Sequence, residues 1–356
     1  MAEDIIRVGF IGAGANTGRR HIPGLRAMPG VELVGVANRS MASSQRAADE
    51  YEISKAYADW VDLIDDDDID AVCIGTWPYM HRTLTLAALE AGKHVLCEAR
   101  MAMDSDEAHD MLDASRANPD LTTQVVPPPH MMTAEQHLID LISDGYVGNI
   151  LHVNARVFNE RGWPDTNTPV HWRHDRDLSG NNVMTMGIWY ENLMRLVGHA
   201  SSVQAQAQTI VKHRKNPEGR RVEMTIPDQL DILYTLARGG TVNMSVATAI
   251  GTHQPPFDLW IFGDDGTIHI DTPDFTQPGS PTLRIMGGKR SDAKMSEIVV
   301  PAEKVGKWRV EEEFINAIRG IEPVTRSNFT DSVKYMEFTD AVQMAWQSGE
   351  RISLPL

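Results

Sequence analysis

Uninterrupted apolar runs alternate with helix-length amphipathic stretches through the first third of the chain. The runs at 6–11, 31–36, 71–74, 94–96 and 123–126 read as strands, and the stretches at 18–28, 43–51, 60–64, 81–91 and 105–117 as helices. Runs without polar alternation suit strands covered on both faces, so the pattern predicts a parallel sheet flanked by helices. The pattern changes beyond Pro127-Pro128-Pro129, a stiff breaker that reads as a hinge. One helix at 133–143 precedes segments of alternating apolar and polar positions at 150–157, 203–210, 231–236, 241–247, 259–262 and 266–270. Alternation marks one buried and one open face, hence a mostly antiparallel sheet covered on one side. Helices at 310–319 and 329–349 close the chain before Arg351-Ile352-Ser353-Leu354. The expected architecture is α/β, with an N-terminal domain over 1–126 and a C-terminal α+β domain over 127–356 built on a large, mostly antiparallel, open-faced sheet.

A length of 356 residues accommodates two such domains. The formal net charge of −16 argues against a nucleic-acid partner, which requires a basic surface. Part of that charge is the run Asp65-Asp66-Asp67-Asp68, read as a solvated helix end. Cys73 and Cys97 each lie inside an apolar strand run, where they read as small core residues of a reducing compartment. The start, Met1-Ala2-Glu3-Asp4, is acidic and unlike a secretory leader, and no apolar run approaches the ~20 residues of a membrane helix. The expected location is the cytoplasm, with no membrane association. The histidines show no H-E-x-x-H spacing and the cysteines no C-x-x-C, so no metal site is expected.

The first strand runs into Gly12-Ala13-Gly14-Ala15-Asn16-Thr17-Gly18, a glycine turn followed by a helix start. Gly12 permits a tight turn, and Gly14 lets the backbone approach a pyrophosphate resting on the first N–H groups of the helix. Asn16, Thr17 and Gly18 complete the candidate contact set. The spacing departs from G-x-G-x-x-G by one residue, since Thr17 precedes the third glycine. At the first strand of a βαβ pattern this reads as a dinucleotide-binding turn. The second strand ends in Asn38-Arg39-Ser40, where an NAD enzyme usually carries an acid for the ribose hydroxyls. Asn38 does not repel a 2′-phosphate, and Arg39 and Ser40 can bind one, which favours NADP(H) over NAD(H).

Gly92-Lys93-His94-Val95-Leu96-Cys97-Glu98-Ala99-Arg100 closely resembles the "GKHVLCEKP" segment of the Gfo/Idh/MocA oxidoreductases. Gly75-Thr76-Trp77-Pro78 with His81 resembles that family's "TP-x-x-x-H", and Trp172-Arg173 with Thr185 and Trp189 falls on its "WR…GGG…D-x-G-x-H". The resemblance spans essentially the whole chain. It implies a Rossmann domain plus an open-faced sheet domain, a nicotinamide cofactor, and action mainly on sugars and polyols. It places Thr76 and Trp77 near the adenosine, Glu98 on the nicotinamide side, and Trp172 and Arg173 among cofactor contacts. It also implies a homodimer or homotetramer. His81 opens a helix, where capping or packing competes with any ligand role.

The family's usual Lys, Asp and His fall here on Ala99, Thr185 and Trp189. Transferring a hydride from an alcohol needs a base for the hydroxyl proton. The candidates to fill that gap are Tyr190 and Glu191, His130, and His171 and His174. Arg100 is a permanent cation suited to polarising a carbonyl rather than moving a proton. Three outcomes stay open: an oxidoreductase with a relocated acid/base, an elimination, isomerisation or glycoside cleavage run through transient oxidation, and a non-catalytic nucleotide and ligand sensor. Trp163, Trp172 and Trp189, with polar Asn181, Asn182, Tyr190 and Asn192 nearby, suit stacking on a small carbohydrate-like substrate. Asn159, Glu160 and Arg161 read as a solvated turn.

Overall fold

The computed structural model describes residues 5–158, 161–181, 186–252, 255–272 and 283–356. No helix among them is long and apolar enough to cross a membrane. The chain forms two compact units, Met1–Pro127 with Arg309–Val333, and Pro128–Trp308 with Lys334–Leu356.

In the first unit, β1 (Ile6–Ile11), β2 (Val31–Ala37), β3 (Lys55–Tyr57), β4 (Ala71–Ile74), β5 (His94–Cys97) and β6 (Thr123–Val125) pair in parallel in the order β3-β2-β1-β4-β5-β6. The order reverses between β1 and β4, and an open parallel sheet binds ligands at the carboxyl ends of its strands at such a switch point. A π-helical turn, Thr17–His21, leads into α1 (Ile22–Arg26), and α2 (Met41–Tyr51), α3 (Trp60–Ile64), α4 (His81–Glu90) and α5 (Ser105–Ala117) follow the later strands. Ser40, Asp59 and Asp104 each accept a backbone N–H at a helix start, which fixes where α2, α3 and α5 begin. β4 is buried along its whole length, as a central parallel strand requires. Asp66 and Asp68 of the acidic run are ion-paired to Lys55, at 2.7 and 2.8 Å, so part of the run anchors β3.

The second unit begins with α6 (Glu135–Ser143) and also holds α7 (Arg176–Ser179) and α8 (Met186–Val197). Its strands are β7 (Ile150–Phe158), β8 (Arg161–Gly162), β9 (Ala200–Gln208), β10 (His213–Lys215), β11 (Arg221–Glu223), β12 (Gln229–Leu236), β13 (Thr241–Ala247), β14 (Gly251–Thr252), β15 (Phe257–Gly263), β16 (Gly266–Thr272), β17 (Arg284–Lys289), β18 (Ser296–Glu297) and β19 (Ile352–Ser353). Nine of them, among the described residues, form one sheet in the order β18-β17-β16-β15-β7-β13-β12-β9-β19, antiparallel except between β7 and β13. Along β12 the apolar positions Leu230, Ile232, Tyr234 and Leu236 are buried while Asp231 and Leu233 are exposed. This is the predicted alternation. The expected fold class, a Rossmann unit plus a second unit on a large, mostly antiparallel sheet, is the one the chain adopts.

The late helix α9 (Val310–Ile318) belongs to the first unit, whereas the sequence division assigned all of 127–356 to the second. The reason is a set of polar contacts that no pattern along the chain announces. Glu313 accepts a hydrogen bond from Gln124 Nε2 at 2.8 Å, and Ser327 O accepts one from Val125 N at 2.8 Å. Gly24 lies so close to Glu311 that a Cβ there would sit 2.8 Å from its side chain. The division between units then falls within α10 (Phe329–Ser348).

Candidate active site

The loops that leave β1 and β4 touch through their backbones. Gly12 has φ +87°, and a Cβ on it would meet Gly75 C and Thr76 N at 2.8 Å. A Cβ on Gly75 would run into the Gly12 carbonyl and Thr17 Oγ1. Both positions therefore need glycine. Gly14 differs: a Cβ there would find nothing nearer than Gly75 O at 4.0 Å, so its glycine leaves an open concavity above the loop. Two predicted contacts turn out to build the loop. Thr17 is buried and its hydroxyl donates to Gly12 O at 3.1 Å, while Gly18 lets the helix close on Tyr51.

Gly12, Gly14, Asn38, Arg39, Thr76 and Trp77 line one cavity of about 480 Å³, within the usual size of a small-molecule pocket. Asn38 is spent on structure. Its Oδ1 accepts from Ala13 N at 2.9 Å and its Nδ2 donates to Ser43 O at 3.1 Å, so it ties the glycine loop to α2. An aspartate could not face that carbonyl, which gives the missing acid a local cause. Ser40 caps α2 and does not line the cavity. Arg39 is exposed, with its guanidinium 5.5 Å from the Trp77 ring centroid. Among the described residues no carboxylate and no hydrogen bond holds that guanidinium. Thr76 Oγ1 is a buried polar atom that finds no hydrogen-bond partner among the described residues. The open space at Gly14, the unmatched Thr76 hydroxyl and the unpaired Arg39 cation together fit a phosphorylated nucleotide.

His81 is a brace: its ring nitrogens lie 2.8 Å from Arg100 O and 3.1 Å from Thr76 O, and burial holds its pKa below the ordinary value. Arg100 itself is only 2% exposed, so its guanidinium is enclosed by protein instead of presented at an open surface. Cys73 and Cys97 are buried, and burial pushes both thiols up, as core residues require.

Glu98 stands at the end of β5 in a buried network. Its Oε1 accepts from Asn16 Nδ2 and lies 3.0 Å from His21 Nε2, and His21 Nδ1 lies 2.6 Å from Glu311 Oε1. Burial works against a charge on His21, but the two carboxylates outweigh it and raise its pKa to about 9. Burial likewise opposes ionisation of Glu98, and the His21 hydrogen bond and charge nonetheless lower its pKa. His21 and Glu311 were not among the predicted site residues.

In the second unit Tyr190 is a core residue. Its ring stacks on Phe338 at 3.6 Å, its hydroxyl accepts from Ala200 N at 2.8 Å, and burial raises its pKa. Its predicted acid/base role gives way to packing, because the hydroxyl satisfies a buried backbone donor. Tyr190→Phe is expected to cost about 1–3 kcal/mol in urea unfolding, since it orphans that N–H, and to leave kcat unchanged. His171 Nδ1 accepts from Arg173 N at 3.3 Å and His174 Nδ1 from His171 N at 3.2 Å, so both rings organise the 3₁₀ turn Trp172–His174. Arg173 lies over the Trp172 ring at 4.2 Å. His130 stacks on Trp189 at 4.2 Å with 11° between planes, and Trp189 stacks on Phe257 at 4.9 Å. Burial lowers the His130 pKa to about 4, so its imidazole is neutral at pH 7.

A family model described as "Oxidoreductase family, NAD-binding Rossmann fold" matches residues 6–124, and the "GFO/IDH/MocA C-terminal domain" matches residues 136–269. The chain belongs to the Gfo/Idh/MocA oxidoreductase family. The 1,5-anhydro-D-fructose reductase of Ensifer adhaerens is 35% identical over 184 residues, 50% of this chain and 52% of that protein. The levoglucosan dehydrogenase of Pseudarthrobacter phenanthrenivorans is 25% identical over 289 residues, 74% of this chain and 73% of that protein. The chain thus spans 52–73% of the length of these two relatives. A structure of levoglucosan dehydrogenase with NADH and levoglucosan superposes with a TM-score of 0.84 at 21% identity, covering 99% of this chain and 100% of that one. Thr185 lies outside the described residues, as do Asn159, Glu160 and Asn182.

Proposed function

We propose that this family member is an NADP(H)-dependent oxidoreductase that interconverts a hydroxyl and a carbonyl on a sugar or polyol-like substrate, with a relocated proton acceptor. The observation that carries the cofactor choice is Arg39, an exposed cation at the cavity rim with no anion to answer it among the described residues. A 2′-phosphate is the group that would pair with it. Thr76 Oγ1 would take a hydrogen bond from the adenosine half, Gly14 would admit the pyrophosphate, and Glu98 would receive the nicotinamide end. When bound, the nicotinamide supplies the hydride acceptor or donor. On the substrate side, neutral His130, held flat on Trp189, would take the hydroxyl proton, and Trp172 with Arg173 would offer an aromatic and cationic wall. The same reading takes the substrate to be a small carbohydrate-like molecule, the compartment to be the cytoplasm, and the working form to be a homodimer or homotetramer.

A panel of sugars and polyols followed by nicotinamide absorbance, with NADP(H) and NAD(H) in parallel, tests this. Turnover is expected with at least one polyol and faster with NADP(H). Arg39→Ala is expected to weaken NADPH binding by about tenfold or more while leaving NADH unchanged, as loss of a charge-assisted phosphate contact predicts. Equal losses for both nucleotides, or a wild-type preference for NADH, would overturn the NADP(H) assignment.

A further inference from the structure

Glu311 and His21 are 290 residues apart in sequence, yet they share a buried contact at 2.6 Å. The His21 side chain is completely buried, and Glu98 beyond it is 14% accessible. Within this line the two oxygens of Glu98 are treated differently. Oε1 is taken by His21 and by Asn16 Nδ2. Oε2 accepts only the N–H of Ala99, at 3.2 Å, among the described residues. One oxygen is therefore pinned inward and the other keeps acceptor capacity. A carboxylate held this way has a fixed orientation before any ligand arrives.

We infer that His21 is a positioning residue: braced by Glu311 from α9, it pins one oxygen of Glu98 and so presents the other to a hydrogen-bond donor on the nicotinamide end of the dinucleotide. The inference rests on the reading above that Glu98 receives that end. It gives α9 a part in cofactor binding, although the helix lies far from the glycine turn in sequence. The charged form of His21 is what makes the bridge, because two carboxylates on a neutral ring would repel each other. Glu98 from the end of β5 and Glu311 from α9 are ionisable groups that face it. Cys73 on β4, Cys97 on β5 and His81 on α4 lie near Glu98 and are uncharged at neutral pH.

Fluorescence titration of the full-length protein with NADPH and NADH, and with the adenosine-half fragments 2′,5′-ADP and ADP, separates the possibilities. His21→Asn and Glu311→Gln are each expected to weaken the whole dinucleotide about tenfold, the loss of one charge-assisted hydrogen bond, and to leave the fragments at wild-type affinity. Wild-type affinity for NADH, which carries no 2′-phosphate to titrate, should be flat through neutral pH and change as His21 titrates near 9. In Glu311→Gln that transition should move down towards the ordinary 6.5 of histidine. If both variants lose fragments and dinucleotide alike, the network is only structural and the inference fails. If Glu98→Gln weakens the dinucleotide while both variants bind it normally, His21 does not position Glu98. If Glu98→Gln binds the dinucleotide normally, the assignment of Glu98 to the nicotinamide end has failed, and the inference falls with it.

Discussion

Gly75→Ala is expected to abolish dinucleotide binding and to cost about 2 kcal/mol of stability, in the range of overpacking a close contact. The added methyl would enter space held by the Gly12 carbonyl and Thr17 Oγ1, and neither can withdraw. Gly12 is fixed in the left-handed region at φ +87°, its N–H donates to Ala37 O at 2.9 Å, and its own missing Cβ faces Gly75 and Thr76. Thr17 is buried and bonded to that same carbonyl. The methyl must therefore part the loops of β1 and β4, and with them the walls of the nucleotide cavity. Gly14→Ala is the contrast, because the nearest atom to its new methyl is 4.0 Å away. Its unfolding midpoint should stay at wild type while dinucleotide affinity falls, since the methyl occupies the open concavity. Urea unfolding and fluorescence titration of the pair check both claims. A Gly75→Ala protein that binds NADPH at wild-type affinity would show that the two loops have room to spare.

The same geometry shows why some of this site was legible in sequence and some was not. Buried parallel strands announce themselves as apolar runs, so β1 and β4 fall where the runs do, and Asp59 and Asp104 cap helices that periodicity already indicates. β3, only Lys55–Tyr57, is short and half-buried and carries no such signal. β17 is obscured by Gly287 and Gly288, which are small because Tyr146 and Met295 lie against them. Gly12, Gly14, Asn38, Arg39, Thr76 and Trp77 share one cavity because strand ends at a switch point converge by topology alone. Thr17 and Gly18 lay in the right turn, but their side faces the protein. His21 was missed although its signal exists. Thr17, His21 and Leu25 recur every four residues and are all buried, so a histidine sits within a core stripe. A buried histidine needs partners, and nothing local says that one of them is Glu311. Tyr190 shows the opposite error: proximity to Trp189 in sequence suggested chemistry, while the helix turns it to Phe338 and Ala200.

His130→Phe is expected to lower kcat for alcohol oxidation by about 100-fold or more, the usual weight of a positioned general base, with NADPH affinity unchanged. Phenylalanine keeps a flat ring for Trp189 and removes both nitrogens, so the comparison isolates proton transfer from stacking. The pH dependence supplies the sharper test. His130 is neutral above about 4 because it is buried, so the wild-type oxidation rate should hold through neutral pH and fall as pH descends towards 4. That acid limb should be missing from the residual activity of His130→Phe. The reverse direction needs the imidazolium, which is scarce at neutral pH, so carbonyl reduction should quicken as pH falls over the same range. Stability follows with the same sign. The folded pKa lies below the unfolded value of ~6.5, so the unfolded chain binds the extra proton, and wild-type stability should decline as pH drops from 6.5 towards 4. His130→Phe, with no proton to bind at that position, should show a shallower decline. Trp189→Ala removes the surface that holds the ring, and should lower kcat less than His130→Phe while keeping the acid limb. If His130→Phe retains wild-type kcat and its acid limb, the proton leaves by another group, and the ring at His130 is packing for Trp189.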